Sequence, residues 1–282
     1  MQKLPGEVGV DFSNWNWKVV RQFLRGQFDL GLCRSSCLNY LHRLGFVVKR
    51  PKKRFLKAND QRREAFVAEY VMLLEQAQRQ GAKIFFVDEA HFRADGDLRR
   101  KWVLKGRPAL VDSSSPRWGE KASYYSAVCL ETGEVESMEV AGNSTAETTT
   151  VFLQQLRRNH PGPLVVIWDN GPAHRGEAIR DYLTTPDLKL RLVALPAYSP
   201  DFNPDEAIWD WVREEVTANE CLGTKEKVQE KVNGFFNKLA HRGDEVRRRC
   251  RRALQVRAEA IKLATDSPFS QPGYVDSTLA LV

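Results

Sequence analysis

The sequence predicts an α/β protein, a mixed sheet flanked by helices, preceded by a small all-α helix-turn-helix module. Three observations carry that expectation. Residues 1–60 hold 12 Lys+Arg against 4 Asp+Glu, whereas residues 61–282 hold 31 against 32, so a basic module is joined to a nearly neutral body. In the body, periodicity runs strand, strand, strand, helix, strand, helix, strand, helix, which describes a meander followed by alternating α/β units. Acids recur directly after buried apolar runs, where open α/β sheets place their chemistry.

The bounds agree. A chain of 282 residues suggests about two domains. The 42% hydrophobic content is nowhere gathered into about 18 consecutive apolar residues, so no transmembrane helix is expected. Asp11, Asn14 and Asn16 interrupt any apolar signal-peptide core. The five cysteines, 33, 37, 129, 221 and 250, are odd in number and form no CxxC pair. Neither a disulfide framework nor a zinc site is supported, and a cytosolic chain with reduced thiols is the default.

In the basic module, Trp17, Val20, Leu24 and Phe28 share a helical face, and Gly31 can take the turn that follows. Ser35 or Ser36 is a natural cap for a second helix, with Leu38, Leu41 and Leu44 inward and Gly45 at its end. Two short helices about a tight turn make a helix-turn-helix. Its second helix would present Arg34, Ser35, Asn39, Tyr40, His42 and Arg43, types suited to base edges and phosphates. The run Lys49, Arg50, Pro51, Lys52, Lys53, Arg54 suits a linker that follows phosphates. An ordinary helical hairpin with a solvated basic tail is the alternative. A helix over 60–80 with Phe66, Tyr70, Leu73 and Leu74 on one stripe, ended by Gly81, would bridge the two domains.

In the body, Lys83 to Val87 reads as a buried strand ended by Asp88, and Asp95-Gly96-Asp97 as a turn. Residues 122–130 and 134–140 read as strands about the turn Glu131-Thr132-Gly133. Thr145–Arg158 is a helix capped by Ser144 or Thr145. The strand 164–168, a helix over 175–183, a strand over 191–195 and a helix from Pro204 to about Val216 follow. Residues 224–263 are helical and basic, more in keeping with a solvated face than with DNA contact, and 266–282 form a loose tail. The expected division is 1–58 DNA-binding module with basic linker, 59–81 connecting helix, 82–222 catalytic domain, 223–265 C-terminal basic helices and 266–282 tail.

Asp88 and Asp169 would leave adjacent strands, and Glu206 has the longer stem to reach from its helix. Hard divalent cations prefer carboxylate oxygen, and two of them roughly 3.5–4 Å apart clamp the attacking and leaving oxygens of a phosphodiester. Each acid has a plainer alternative. Asp88 could cap the segment after its strand. Asp169 with Asn170-Gly171 could be a turn. Asn203, Pro204 and Glu206 match a capping box. His174 could orient a ligand, contact phosphate or cap a helix. Asp210, one turn after Glu206, suits an exposed acid.

The motifs FFVDEAHF, VIWDNGPAHR and LPAYSPDFNPDEAIWDWV resemble the three acidic motifs of cut-and-paste transposases of the mariner superfamily, in its bacterial insertion-sequence branch. The third is the most specific, with Ser199-Pro200, Asn203-Pro204, Glu206 and Trp209 at the family's spacing and 36 residues between Asp169 and Glu206. The similarity covers about residues 83–220 strongly and 12–60 more loosely. It implies a ribonuclease-H-like catalytic domain in which Asp88, Asp169 and Glu206 bind two Mg²⁺ ions, Mn²⁺ substituting. These would activate water and then a DNA 3′-hydroxyl, with Asn170, His174 and Asn203 supporting them. It also implies double-stranded DNA as partner (terminal inverted repeats and target), a homodimer on DNA, and a cytoplasmic, nucleoid-associated bacterial protein. Two departures stand out. The family carries two helix-turn-helix units and only the second is legible here, the expectation being a truncated or alternatively started copy. Asp205 stands where the family has an aliphatic residue. An inactive remnant that only binds DNA, and a nuclease that never joins strands, are the alternatives.

Overall fold

Asn16 starts the first helix by taking two N–H groups that have no partner inside it. Its Oδ1 accepts from Lys18 and Val19 at 2.9 and 3.2 Å, opening α1 (Trp17–Phe28), and α2 (Arg34–Arg43) follows after a short link. The structure is a computed structural model that describes residues 3–48, 57–114 and 121–265. These fall into two compact units, Met1–Arg54 and Phe55–Val282. In the first, Val19, Val20 and Cys37 are buried, but Phe28 and Leu44, expected inward, are exposed, because two short helices cannot enclose the ends of both apolar stripes. Neither Ser35 nor Ser36 caps α2. It begins at Arg34, and both hydroxyls lie beside Cys33 Sγ, at 3.0 and 3.2 Å.

The second unit is a three-layer structure. Its elements are α3 (Asp60–Gln80), β1 (Lys83–Arg93), β2 (Lys121–Val128), β3 (Val135–Val140), α4 (Ala146–Asn159), β4 (Leu164–Trp168), α5 (Glu177–Leu183), β5 (Leu190–Ala194) and α6 (Glu206–Val212). Then come α7 (Lys225–Leu239), α8 (Gly243–Cys250) and α9 (Ala253–Thr265). The sheet order is β3-β2-β1-β4-β5, antiparallel from β3 to β1 and parallel from β1 to β5. Strand alternation divides the core. Ile84, Phe86, Val165 and Ile167 face α3 and the helices from α6 onward, while Phe85, Val87, Val166 and Trp168 face α4 and α5. The C-terminal helices share the first of these cores through Val228, Phe235, Val246 and Leu254.

Asp88 does not end its strand. Parallel pairing with β4 stops at Phe86–Ile167, but the antiparallel ladder with β2 runs on from Asp88–Ser126 to Arg93–Lys121. Asp88 therefore lies inside β1, just past the point where β4 ceases to accompany it. Asp95-Gly96-Asp97 is not a free turn either. Asp95 bridges Cys221 and Gly96 N–H donates to Glu220 O at 3.0 Å. A side chain on Gly96 would sit 1.7 Å from Thr217 O, so only glycine allows this approach.

Between Gly96 and Asp112 an arm leaves the sheet. Its neck is closed by the Asp95 carboxylate, which accepts from Ser113 Oγ, Ser114 N–H at 2.9 Å and Ser114 Oγ at 2.5 Å. Leu98, Trp102, Leu104 and Leu110 on this arm are exposed, Trp102 completely, among five cations and no acid from Arg99 to Arg107.

Arg247, Arg248, Arg249 and Arg251 near the C-terminus are exposed, as a solvated face would be, but some of the arginines there also make contacts. Arg249 meets Glu214 at 3.1 Å and lies 4.3 Å over the Trp211 ring, Arg242 lies 4.4 Å over the same ring, and Arg252 reaches Asp210 at 3.5 Å. They fasten α8 and α9 to α6 by charge and cation–π contact. Asp210 is exposed, as expected. Among the described residues no helix is long and apolar enough to cross a membrane. Lys49, Arg50, Lys52, Lys53, Arg54 and the tail 266–282 lie outside the described residues.

Candidate functional site

Where β1 outruns β4, a cleft of about 440 Å³ opens at the sheet edge. Asp88, Asp169 and Glu206 all line it, with Arg175, Tyr198 and Asn203. Alternation along β1 sends Asp88 toward α6 and Glu89 to the other face. Asp169 follows the last residue of β4, and Glu206 opens α6.

Asn203 joins two of the three. Its Nδ2 donates to Val87 O at 3.2 Å, beside Asp88, and its Oδ1 accepts from Asp205 N–H at 3.1 Å, beside Glu206. Asn203 thus holds the tight turn before α6, as an N-cap would. Its own N–H donates to Pro200 O at 3.0 Å, which leaves Glu206 no capping-box partner. The carboxylate stays with the cleft. Asn170, the other amide singled out in the sequence, donates from Nδ2 to Leu195 O at 2.7 Å and ties the loop after β5 to β4.

His174 is buried and stacks on Trp168 at 4.5 Å with the rings nearly parallel. Its Nδ1 lies 2.9 Å from Asp169 Oδ1 and 3.1 Å from Asp169 O. Its Nε2 lies 3.0 Å from Glu89 Oε1, near enough for an ion pair although the N–H is not aimed at the oxygen, so Nε2 has no hydrogen bond. Burial opposes the imidazolium charge, but Asp169 and Glu89 outweigh it and hold the pKa up to about 10.

The acids differ in their electrostatics. Burial, then the negative charges of Asp205, Glu206 and Glu89, push Asp88 well above the ordinary carboxylate range. Burial raises Glu206, against the pull of Arg213. Asp169 is lowered, chiefly by the His174 hydrogen bond and also by Gly171 N–H, against burial. Asp205 is completely buried. Its Oδ2 accepts from Ser126 Oγ, its Oδ1 has no partner, and burial drives its pKa well up.

Among the described residues no three His, Cys, Asp or Glu side chains already converge to hold an ion. Asp169 Oδ1 is turned to His174. The donor set nevertheless fits hard divalent cations: carboxylate oxygens in one cleft, two of them raised in pKa by crowding and burial that a cation would relieve.

Of the residues expected at the site, the structure brings Asp88, Asp169, Glu206, Asn170 and Asn203 to one cleft and places His174 behind Asp169. Sequence reasoning missed Glu89, Arg175 and the Asp205–Ser126 contact. The period-2 alternation from Asp88 could have placed Glu89 opposite it, but nothing in the sequence paired it with His174. Arg34, Ser35, Asn39, Tyr40, His42 and Arg43 are all solvent-facing on α2, and Arg34 lies 5.6 Å over the Trp17 ring.

A sheet antiparallel on one side of β1 and parallel on the other, helices on both faces, and acids at the edge shared by β1 and β4 define a ribonuclease-H-like domain. Residues 83–229, just over half of the chain, match the DDE superfamily endonucleases, and the chain belongs to that family. Residues 11–70 match the winged helix-turn helix family. The "Insertion element IS630 uncharacterized 39 kDa protein" of Shigella sonnei is 22% identical over 241 residues, 84% of this chain and 68% of that protein. In fold, the chain is similar to the Mos1 transposase paired-end complex with left transposon end (TM-score 0.59, 19% identity, covering 92% of this chain and 80% of that one). It is similarly close to the mariner Mos1 paired end complex with Mg (0.59, 19%, 91% and 80%) and to that with Mn (0.58, 20%, 86% and 72%).

Proposed function

We propose that this chain is the transposase of a bacterial insertion sequence, cutting DNA at the element's ends and joining it to a target. The observation that carries the proposal is the single cleft lined by Asp88, Asp169 and Glu206 in a DDE endonuclease domain. The family match to a winged helix-turn helix, the insertion-element relative and the likeness in fold to Mos1 transposase in its paired-end complex with left transposon end and in its strand transfer complex support it.

In this proposal Asp88, Asp169 and Glu206 are the catalytic residues and would together hold two divalent cations, Mg²⁺ or Mn²⁺. Bound there, the cations supply Lewis-acid polarisation of the phosphodiester and of the attacking hydroxyl. The chain's own residues do the rest. Asn203 fixes the backbone beside Asp88 and Glu206, His174 holds Asp169, and Asn170 fixes the loop that forms the cleft's rim. Arg175 offers a guanidinium to a phosphate, the geometry that suits it. Terminal inverted repeats would be bound through Arg34, Ser35, Asn39, Tyr40 and Arg43 together with Lys49, Arg50, Lys52, Lys53 and Arg54. The functional division is 1–58 DNA-binding module, 59–81 connecting helix, 82–222 catalytic domain and 223–265 supporting helices. The site of action is the cytoplasm, at the nucleoid. A homodimer would cover the exposed apolar arm around Trp102, and Trp102→Ala should then lower the stoichiometry on paired ends from two to one.

The experiment is cleavage of a labelled element end. Asp88→Asn, Asp169→Asn and Glu206→Gln should each abolish it while leaving DNA binding nearly intact, and chelator should abolish it in the wild type. If any variant nicks at the wild-type rate, that residue leaves the set. Binding without cleavage by the wild type in Mg²⁺ would make the chain an inactive DNA-binding remnant. Cleavage without joining of a precut end would make it a nuclease alone.

A further inference from the structure

Asp169 is the exposed member of the three acids, its side chain 57% accessible at the end of a strand. A carboxylate so placed rotates freely unless something holds it. Two donors on the α5 side of the sheet do so, and both take the same oxygen. His174 Nδ1, within 3.1 Å of the Asp169 backbone O, also pairs with Oδ1 at 2.9 Å, and Gly171 N–H donates to Oδ1 at 2.7 Å. Among the described residues nothing takes Oδ2, so the second oxygen is left for the cleft.

The imidazole is held in turn. Trp168 stacks on it with an interplanar angle of 3°, and Glu89 Oε1 lies 3.0 Å from Nε2. Glu89 follows Asp88 in β1 and faces the opposite side, so the pair straddles the sheet. Glu89, His174 and Asp169 thus form a chain of contacts running behind the sheet edge, from β1 to the end of β4. Gly171 supplies an independent sign of construction. A Cβ there would stand 2.9 Å from Asp169 Oδ1, so the glycine leaves the space the pinned oxygen uses.

We infer that Glu89 and His174 are positioning residues for Asp169: Glu89 holds His174, His174 holds Oδ1, and Oδ2 is thereby presented to a divalent cation. The inference rests on the proposed metal role of Asp169. Neither Glu89 nor His174 lines the cleft, so their influence passes through Asp169. Outer partners of this kind typically change metal affinity or activity by about 10- to 100-fold.

The test is calorimetric titration of the full chain with Mn²⁺ alone, beside Mg²⁺-dependent cleavage and thermal unfolding. Glu89→Gln preserves shape and removes the charge facing Nε2. His174→Asn preserves a donor to Asp169 while breaking the link to Glu89. Each should weaken Mn²⁺ binding about tenfold and raise the Mg²⁺ needed for half-maximal cleavage by the same factor. At saturating Mg²⁺ the cleavage rate of the folded protein should return to within about twofold of wild type, with end-DNA binding unchanged; thermal unfolding fixes the temperature at which each variant is assayed folded, since His174 is buried against Trp168. Wild-type Mn²⁺ affinity in both variants, or cleavage that saturating Mg²⁺ does not restore, overturns the inference. Asp169→Asn separates it from the reading beneath it. Loss of Mn²⁺ in that variant alone refutes only the positioning role, whereas retention there refutes the metal site and the inference with it.

Discussion

Replacing Asn203 by alanine should cost this protein more stability than its one missing amide suggests. The side chain is 2% exposed and serves two backbone groups, accepting from Asp205 N–H at 3.1 Å and donating to Val87 O at 3.2 Å. Alanine supplies neither. A buried polar group left without its partner costs roughly 1–3 kcal/mol, so the pair should cost about 3 kcal/mol. That is a large share of the roughly 5–15 kcal/mol that holds a native domain together. The same two bonds fix β1 beside Asp88 and the turn beside Glu206, so the cleavage rate of the folded fraction should also fall, by tenfold or more. Asn203→Asp keeps the acceptor and loses the donor, and its stability should lie between the two. The assay is urea unfolding at pH 7 beside cleavage at saturating Mg²⁺. A midpoint for Asn203→Ala within about 0.5 kcal/mol of wild type, the range of ordinary surface changes, would refute the reasoning.

Gly171→Ala introduces no backbone strain, since φ is −57°, but its Cβ at 2.9 Å must displace Asp169 Oδ1; cleavage should drop about tenfold with unfolding unchanged, and a wild-type rate would count against it. Asp205→Leu combined with Ser126→Ala removes a fully buried carboxyl with an unpartnered oxygen together with its one hydroxyl partner. It should stabilise the fold by about 1–3 kcal/mol in urea unfolding, and a loss of stability would show that the pair is worth keeping. Arg63, buried, grips Asp201 with both nitrogens at 3.0 and 2.6 Å and lies 4.1 Å over Phe202. Arg63→Met should cost about 2 kcal/mol at pH 7. Burial raises the Asp201 pKa, but Arg63 outweighs it and holds it below the ordinary value. The stability this adds is present above the unfolded pKa near 3.9 and is lost as pH falls through the folded one. The gap between Arg63→Met and wild type should accordingly narrow on acidification, and a gap that stays constant down to pH 2 would exclude the pairing.

The sequence foretold what local pattern controls. Thr145 caps α4 by accepting from Thr148 N–H at 3.3 Å, and the apolar run Leu164–Trp168 is buried throughout. Both follow from side chain and spacing alone. What escaped it depends on partners distant in the chain. Asp88 read as a strand end because apolar character stops there, but the ladder with β2 carries β1 onward to Arg93. Phe28 and Leu44 lay on correct apolar stripes, yet a stripe does not reveal whether anything covers its end. Glu89 and His174 are separated by 84 residues and meet only because β1 and β4 are neighbours. The three acids were legible because motif and spacing mark them; the contacts behind them were not, because they are products of the assembled sheet.

The closed neck of the arm between β1 and β2 has a consequence for how such a chain can diverge. Asp95 gathers Ser113 and Ser114, so the sheet meets a finished junction whatever hangs beyond it. Lengthening a loop costs only about 0.6 kcal/mol per doubling. The stretch from Leu98 to Leu110 can therefore lengthen, shorten or change its lettering while the register of the strands on either side stays fixed. What hangs there can be altered apart from the sheet: an insertion beside Trp102 should break the proposed pairing of two copies while leaving the cleft at the sheet edge as it is.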